Sequence, residues 1–226
     1  VLKDHVAALS AKPVDEVLEG VTGFALASGM SPEQLTGTAQ VCLGAGYKAD
    51  SASVAIGSAL LLTGANGAGK STLLRILSSL LRPAEGGVLW RGQDVAADPA
   101  AHAARLRYLS HQDALKPALT VAENLAFFAQ LWGGDVATAL EAVALTPLAD
   151  LPARVLSAGQ RRRLALARLA LSPAPLWLLD EPTTGLDAAS VERLAPLLAG
   201  HRAAGGIVVA ATHIPLPLTD VREPRL

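Results

Sequence analysis

The run Gly64-Ala65-Asn66-Gly67-Ala68-Gly69-Lys70-Ser71 lies between an apolar strand, Ala59-Leu60-Leu61-Leu62-Thr63, and a helical stretch over residues 71–82 that Pro83 stops. Glycines at these spacings let successive backbone N–H groups turn inward on an anion, and the N-terminal end of the following helix adds positive potential. The run fits the phosphate-loop pattern, and strand before plus helix after is the context that makes the pattern specific. Gly64, Ala65, Asn66, Gly67, Ala68 and Gly69 then cradle phosphates, with Lys70 on the β/γ groups and the Ser71 hydroxyl on Mg²⁺. Thr72 reaches the α-phosphate. The competing reading, a plain glycine-rich turn, is disfavoured by the flanks.

Such a loop restricts the chain to an α/β architecture, and the rest of the sequence agrees. Hydrophobic residues make up 51% of the 226 positions but aromatics only 4%, so the core is built from Leu, Ala, Val and Ile. Such runs suit buried parallel strands and the helices on them. Short strands are predicted within residues 86–92 and 106–110, and longer ones at 176–180 and 207–212. Residues 121–171 read as mostly helical, broken at Gly133-Gly134, Pro147, Pro152 and Gly159. Alternating strands and helices imply a mainly parallel sheet flanked by helices, with a helical subdomain inserted at about 113–171. Residues 36–226 form the expected domain. Residues 1–35 read as an extension of short amphipathic helices punctuated by Pro13, Gly29 and Pro32, with Ser31 and Gln34 placed as a capping box. Met30 is the single methionine and Val1 the first residue, so a start at Met30 and one at a valine-reading codon are both open.

Several classes of function fall away. With 19 Lys and Arg against 20 Asp and Glu, the net charge is -1, and no basic surplus argues for nucleic acid. Cys42 stands alone, which excludes an internal disulfide framework and a cysteine-based zinc cluster. The long uncharged window between Asp50 and Lys70 is interrupted by Gly57, Gly64, Gly67 and Gly69, so it is not read as a membrane span. Asp4, Asp15, Glu16 and Glu19 break any signal-peptide pattern, and a cytoplasmic location is expected.

Leu176-Trp177-Leu178-Leu179-Asp180-Glu181 is an apolar strand ending in two acids, which a buried parallel strand delivers to the ligand crevice. Asp180 is placed to hold Mg²⁺, directly or through water, and Glu181 to act as general base for an attacking water. Alone, such a strand end is more often a pair of solvated acids; a phosphate loop in the same chain reverses the odds. The next element is Leu156-Ser157-Ala158-Gly159-Gln160, followed by Arg161-Arg162-Arg163. Ser157 and the amides near Gly159 open a helix, an anion site at its N-terminus, with Ser157 also its N-cap. The arginines are expected on a solvated helix face.

At these residues the chain resembles the ATP-binding cassette ATPases, whose LSGGQ signature stands here as LSAGQ. The resemblance implies ATP and Mg²⁺ as ligands and a dimer of two copies with two ATPs sandwiched between them, each signature completing the partner's site. It places Gln112 as the Q-loop glutamine on Mg²⁺ and water, Gly185-Leu186-Asp187 as the D-loop, and His213 as the switch histidine on the γ-phosphate. Together the motifs span residues 59–213.

Residues 110–125, the signature with its three arginines, Val88-Leu89-Trp90 and Thr212-His213 are similar to the ATP-binding subunits of bacterial cytochrome c maturation transporters, often called haem exporters. That likeness implies an ATPase subunit on the cytoplasmic face of the inner membrane, peripheral, attached to integral membrane subunits and meeting haem only through them. No nucleic-acid partner is expected. Cassettes usually stack an aromatic on adenine. Tyr47 is closer to Lys70 than is usual and Val41 lies near the expected place, so neither is assigned. Residues 43–53 are poor in apolar side chains for first cassette strands, which leaves a weakened N-terminal sheet or a disturbed reading frame. Phe127, Phe128, Leu131 and Trp132 follow the Q-loop and form either a groove for a membrane subunit or subdomain core. Competing classes are a transporter subunit for another cargo, a soluble cassette ATPase, a small-molecule kinase and a nucleotide-binding module without turnover. The soluble class is disfavoured because only 89 positions separate Lys70 from Gly159, with no heptads between. The kinase lacks an acceptor site, and Lys70, Asp180, Glu181 and His213 together speak against an inactive module.

Overall fold

The computed structural model describes residues 39–41, 52–83, 87–219 and 221–223. The expected helices of residues 1–35, the capping box at Ser31 and Gln34, and Tyr47 lie outside the described residues.

Two sheets organise the chain. In the first, β1 (Ala39–Val41) pairs antiparallel with β2 (Ala52–Val54) and with β4 (Val88–Trp90), which pairs with β5 (Gln93–Asp94). Arg91 at φ 51 and Gly92 at φ 78 make the two-residue turn between β4 and β5, the left-handed geometry that matches strand twist. The second sheet is parallel, in the order β6 (Leu106–Leu109), β7 (Leu176–Asp180), β8 (Ile207–Ala211), β3 (Ala59–Leu62), β9 (Val221–Arg222). Parallel pairing puts the C-terminal ends of β6, β7, β8 and β3 along one edge, so the residues that follow them converge there.

Every residue of β3, β7 and β8 is buried, as central strands covered on both faces must be. Alternation divides them between two cores. Leu60, Leu62, Leu178 and Val209 pack on α1 (Lys70–Leu77) and on Val54, Val88 and Trp90 of the first sheet. Leu61, Trp177, Leu179, Val208 and Ala210 pack on α5 (Ala158–Leu171) and α7 (Leu194–Ala203). A third cluster joins α3 (Val121–Trp132), α4 (Val136–Ala142) and α5 through Leu125, Leu140, Leu145, Leu164 and Leu171. Helix α5 is therefore a shared wall, with Leu164 facing the helices and Leu166 the sheet. No described helix is long and apolar enough to cross a membrane.

Two local expectations are corrected. The helix predicted over 71–82 ends at Leu77, because Ser79 turns to φ 60 and the Arg75 carbonyl accepts from both Leu80 and Leu81. Leu80 is 63% exposed, so the apolar run that suggested continuation has no core to enter. His102, on α2 (Pro99–Ala104), lies with Nε2 2.8 Å from the Leu77 carbonyl; burial lowers its pKa, so a neutral ring donating that bond closes the helix end. Gly159, expected as a break, instead lies in the first turn of α5, because Ser157 and Gln160 form the capping box that starts this helix.

Gly134 stands at φ 100, and a Cβ there would lie 1.6 Å from the Leu171 carbonyl oxygen. Backbone cannot yield as a side-chain tip does. Gly134→Ala is expected to destabilise the fold by about 3 kcal/mol or more, lowering the melting temperature by roughly 6 °C or more in a circular-dichroism melt.

Candidate nucleotide site

Between β3 and α1 the chain runs through Gly64 at φ 141, Gly67 at φ 83 and Gly69 at φ 97, and Gly69 is the N-cap of α1. Side chains beyond glycine resist these angles, which turn the amides of the loop toward its concave side. Lys70 is 7% exposed, and its Nζ donates to the carbonyls of Gly64 (2.8 Å) and Ala65 (2.9 Å). The ammonium is thus held across the mouth of the loop.

From the next residue the Ser71 hydroxyl donates to Asp180 Oδ1 at 2.9 Å, joining the start of α1 to the end of β7. Asp180 is 1% exposed, and its Oδ2 is buried without a hydrogen bond. An ionised oxygen in that state wants a cation. His111 Nδ1 lies 3.8 Å from it on a 67% exposed side chain, too far for a hydrogen bond. One hydroxyl and one carboxylate oxygen fit Mg²⁺, which takes few protein oxygens and completes its shell with water and phosphate. Among the described residues no three His, Cys, Asp or Glu side chains form an all-protein cage. The Tyr108 hydroxyl has its pKa raised, first by burial and then by the charge of Asp180.

Glu181 follows at φ 48, a left-handed angle that costs a residue with a Cβ about 1 kcal/mol or more. Its N–H donates to the Ala211 carbonyl at 2.8 Å, tying the turn to β8. The carboxylate faces His213: Nε2 lies 3.2 Å from Oε1, and the His213 N–H donates to Oε2 at 3.4 Å. Residues predicted from three separate segments therefore meet in two pairs, Ser71 with Asp180 and Glu181 with His213. Gln112 is less engaged. Its side chain is exposed, while its carbonyl accepts from Ser110 Oγ at 2.8 Å.

In the signature, the Ser157 hydroxyl accepts from the Gln160 N–H at 3.2 Å, and Gln160 Oε1 accepts from the Ser157 N–H at 2.8 Å. Gly159 meets Gly185: a Cβ on Gly159 would lie 2.9 Å from the Gly185 carbonyl. Past that contact, Asp187 caps α6 (Ala188–Glu192), and its bonds from Ser190 hold its pKa below the ordinary value. The three arginines depart from expectation. Arg161 donates to the Leu156 carbonyl, Arg163 to those of Val143 and Ala144, and Arg162 is only 3% exposed. A helical wheel carried the missed signal, since Arg162 shares a face with Ala165, Leu166 and Leu169, all buried.

The four apolar residues after the Q-loop divide. Phe127 (57%) and Leu131 (63%) are exposed, while Phe128 and Trp132 are half-buried and line a groove of about 350 Å³ with Leu80, Tyr108 and two arginines. Arg107 lies 4.2 Å above the Trp132 ring and Arg168 5.0 Å above Phe128. Burial lowers the pKa of both, that of Arg168 to about 10.

A phosphate loop on one parallel strand, paired acids on another and a histidine on a third, with a capped signature helix beside them, define an ATP-binding cassette. The sequence pattern of the ABC transporter family matches residues 47–184, and the chain belongs to that family as an ATP-binding ATPase. It is 60% identical to the cytochrome c biogenesis ATP-binding export protein CcmA of Rhodospirillum rubrum over 163 residues, 71% of this chain and 70% of that one. The protein of the same name from Rhodopseudomonas palustris is 46% identical over 202 residues, covering 88% of this chain and 96% of its own. Among solved structures, an ATP-binding subunit of an ABC transporter superposes with a TM-score of 0.67 at 25% identity, over 78% of this chain and 79% of that one.

Proposed function

We propose that this chain is the ATP-hydrolysing subunit of the transporter that serves cytochrome c maturation, driving release of haem or of a haem carrier. The observation that carries the chemistry is the meeting of Ser71 with Asp180 and of Glu181 with His213 at one edge of the parallel sheet. Residues 64–70 bind the phosphates, Lys70 the β/γ pair, and Thr72 the α-phosphate. Ser71 and Asp180 would hold Mg²⁺ together with Gln112, and the ion when bound neutralises phosphate charge. Glu181 orients water and takes its proton as the water oxygen bonds to the γ-phosphorus and the bond to ADP breaks. His213 contacts the γ-phosphate and steadies the carboxylate.

Two copies of the chain close on two ATPs, Leu156, Ser157, Ala158, Gly159 and Gln160 of each facing the γ-phosphate held by the other. Gly185, Leu186 and Asp187 lie along that interface. Residues 113–171 act as the helical subdomain of a cassette spanning 36–226. The groove lined by Trp132 and Phe128, with Phe127 and Leu131 exposed on the same helix, suits a cytoplasmic segment of an integral membrane subunit. Arg107 and Arg168 favour an acidic residue in that segment. Attachment there puts the chain on the cytoplasmic face of the inner membrane.

The test is genetic. In a bacterium lacking the corresponding subunit, this chain is supplied with its cognate membrane partners and covalent haem on c-type cytochromes is measured. Restoration by the unaltered chain and not by Lys70→Ala is the expected result. Failure despite measured ATP hydrolysis would leave a transporter motor for a different cargo.

A further inference from the structure

We propose that Arg162 is a positioning residue that fixes Gln112 and Glu181 together and ties them to the signature helix of the same chain. The inference rests on the two-site dimer proposed above. A guanidinium has five N–H donors, and at Arg162 each has an acceptor. Nε donates to the Pro182 carbonyl (3.1 Å), and Nη2 to the carbonyls of Asp180 and Glu181, both at 2.7 Å. Nη1 donates to the Ser110 carbonyl (2.9 Å) and to Asp113 Oδ1 (3.1 Å).

The pattern of partners carries the argument. Glu181 is gripped at its own carbonyl and at those on either side of it. Gln112 lies between Ser110 and Asp113, both gripped as well. The base is held at φ 48, so its carbonyl bond to Arg162 opposes relaxation of a strained turn. Asp113 is held twice, since Arg168 Nη2 donates to its carbonyl at 2.9 Å. Arg162 itself lies two residues beyond Gln160 on the helix that Ser157 caps. Gly159 abuts the Gly185 carbonyl on the other side. A shift of the Q-loop or of the Glu181 turn is thereby passed to the signature, which in the dimer faces the second ATP. Arg162 is thus a rigid link between the two nucleotide sites.

A lysine keeps the charge but loses the planar fork, so it cannot reach both segments. In the purified full chain, Arg162→Lys is expected to lower kcat roughly 10²-fold through misplacement of base and glutamine. ATP affinity should stay within about threefold, because Lys70 and the loop are untouched, and the Hill coefficient for ATP should fall toward one. Arg163→Lys, on the same helix but bonded to Val143 and Ala144, should leave kcat and the Hill coefficient within about twofold. Equal kcat and cooperativity in the two variants would overturn the inference. Should Arg162→Lys fail to fold, Asp113→Asn decides. It keeps the Oδ1 acceptor but removes the charge, and a kcat lowered about threefold or more with unchanged affinity supports the link, whereas an unchanged kcat refutes it. An unaltered chain that hydrolyses ATP without cooperativity would instead overturn the dimer reading beneath it.

Discussion

Glu181→Gln is expected to slow ATP hydrolysis by about 10²- to 10⁴-fold, the range that loss of a general base commonly produces. The amide matches the carboxylate in shape and still accepts at one oxygen, so the His213 N–H bond at 3.4 Å can persist. The bonds that shape the turn, from Arg162 to the Glu181 carbonyl and from the Glu181 N–H to Ala211, are backbone and remain. What is lost is basicity, together with a negative charge on the side proposed for the γ-phosphate. ATP should therefore bind at least as tightly, and the closed dimer should accumulate. Phosphate release under steady state reads the first effect, and size-exclusion chromatography with Mg²⁺ and ATP reads the second. Hydrolysis at the unaltered rate would remove Glu181 from the role of base and leave His213 as the next residue to test.

The strands and motifs that make up this site were legible because they are local. The buried strands β3 and β8 read as unbroken aliphatic runs and β7 as an apolar run ending in Asp180, and each motif occupies consecutive positions at a strand end or helix start. Parallel order then brings them to one edge without further instruction. Arg162 was not legible as a link, because its acceptors lie from 18 to 52 residues away and depend on packing between α5, β6 and β7. Charge alone suggested solvent, whereas its place on the buried face of α5 pointed inward. The end of α1 was misplaced for the opposite reason: Leu80 and Leu81 extend a helical pattern, but Ser79 turns the chain away before they can pack. Stacking of Arg107 on Trp132 joins residues far apart in sequence, and no local pattern announces it.

Lys70→Ala should abolish measurable turnover at ordinary ATP concentrations by weakening binding rather than chemistry alone. Hydrogen bonds from a charged donor are worth about 1.5–3 kcal/mol each, and contact with two phosphates makes the loss of affinity about 10²-fold or more. The fold should tolerate the change. Lys70 is the first residue of α1, alanine is the best helix former, and the Gly64 and Ala65 carbonyls that lose its ammonium lie at a loop open to water. The melting temperature should therefore stay within roughly 3 °C of the unaltered chain, which separates a binding defect from misfolding. Titration with ATP by calorimetry, in the presence and absence of Mg²⁺, gives the comparison. On the proposed assignment of the Lys70 ammonium to the β- and γ-phosphates and of Thr72 to the α-phosphate, the loss should be larger for ATP than for AMP. An equal loss for both nucleotides would place the Lys70 ammonium on the α-phosphate instead, and unchanged ATP affinity would remove Lys70 from the phosphate site altogether.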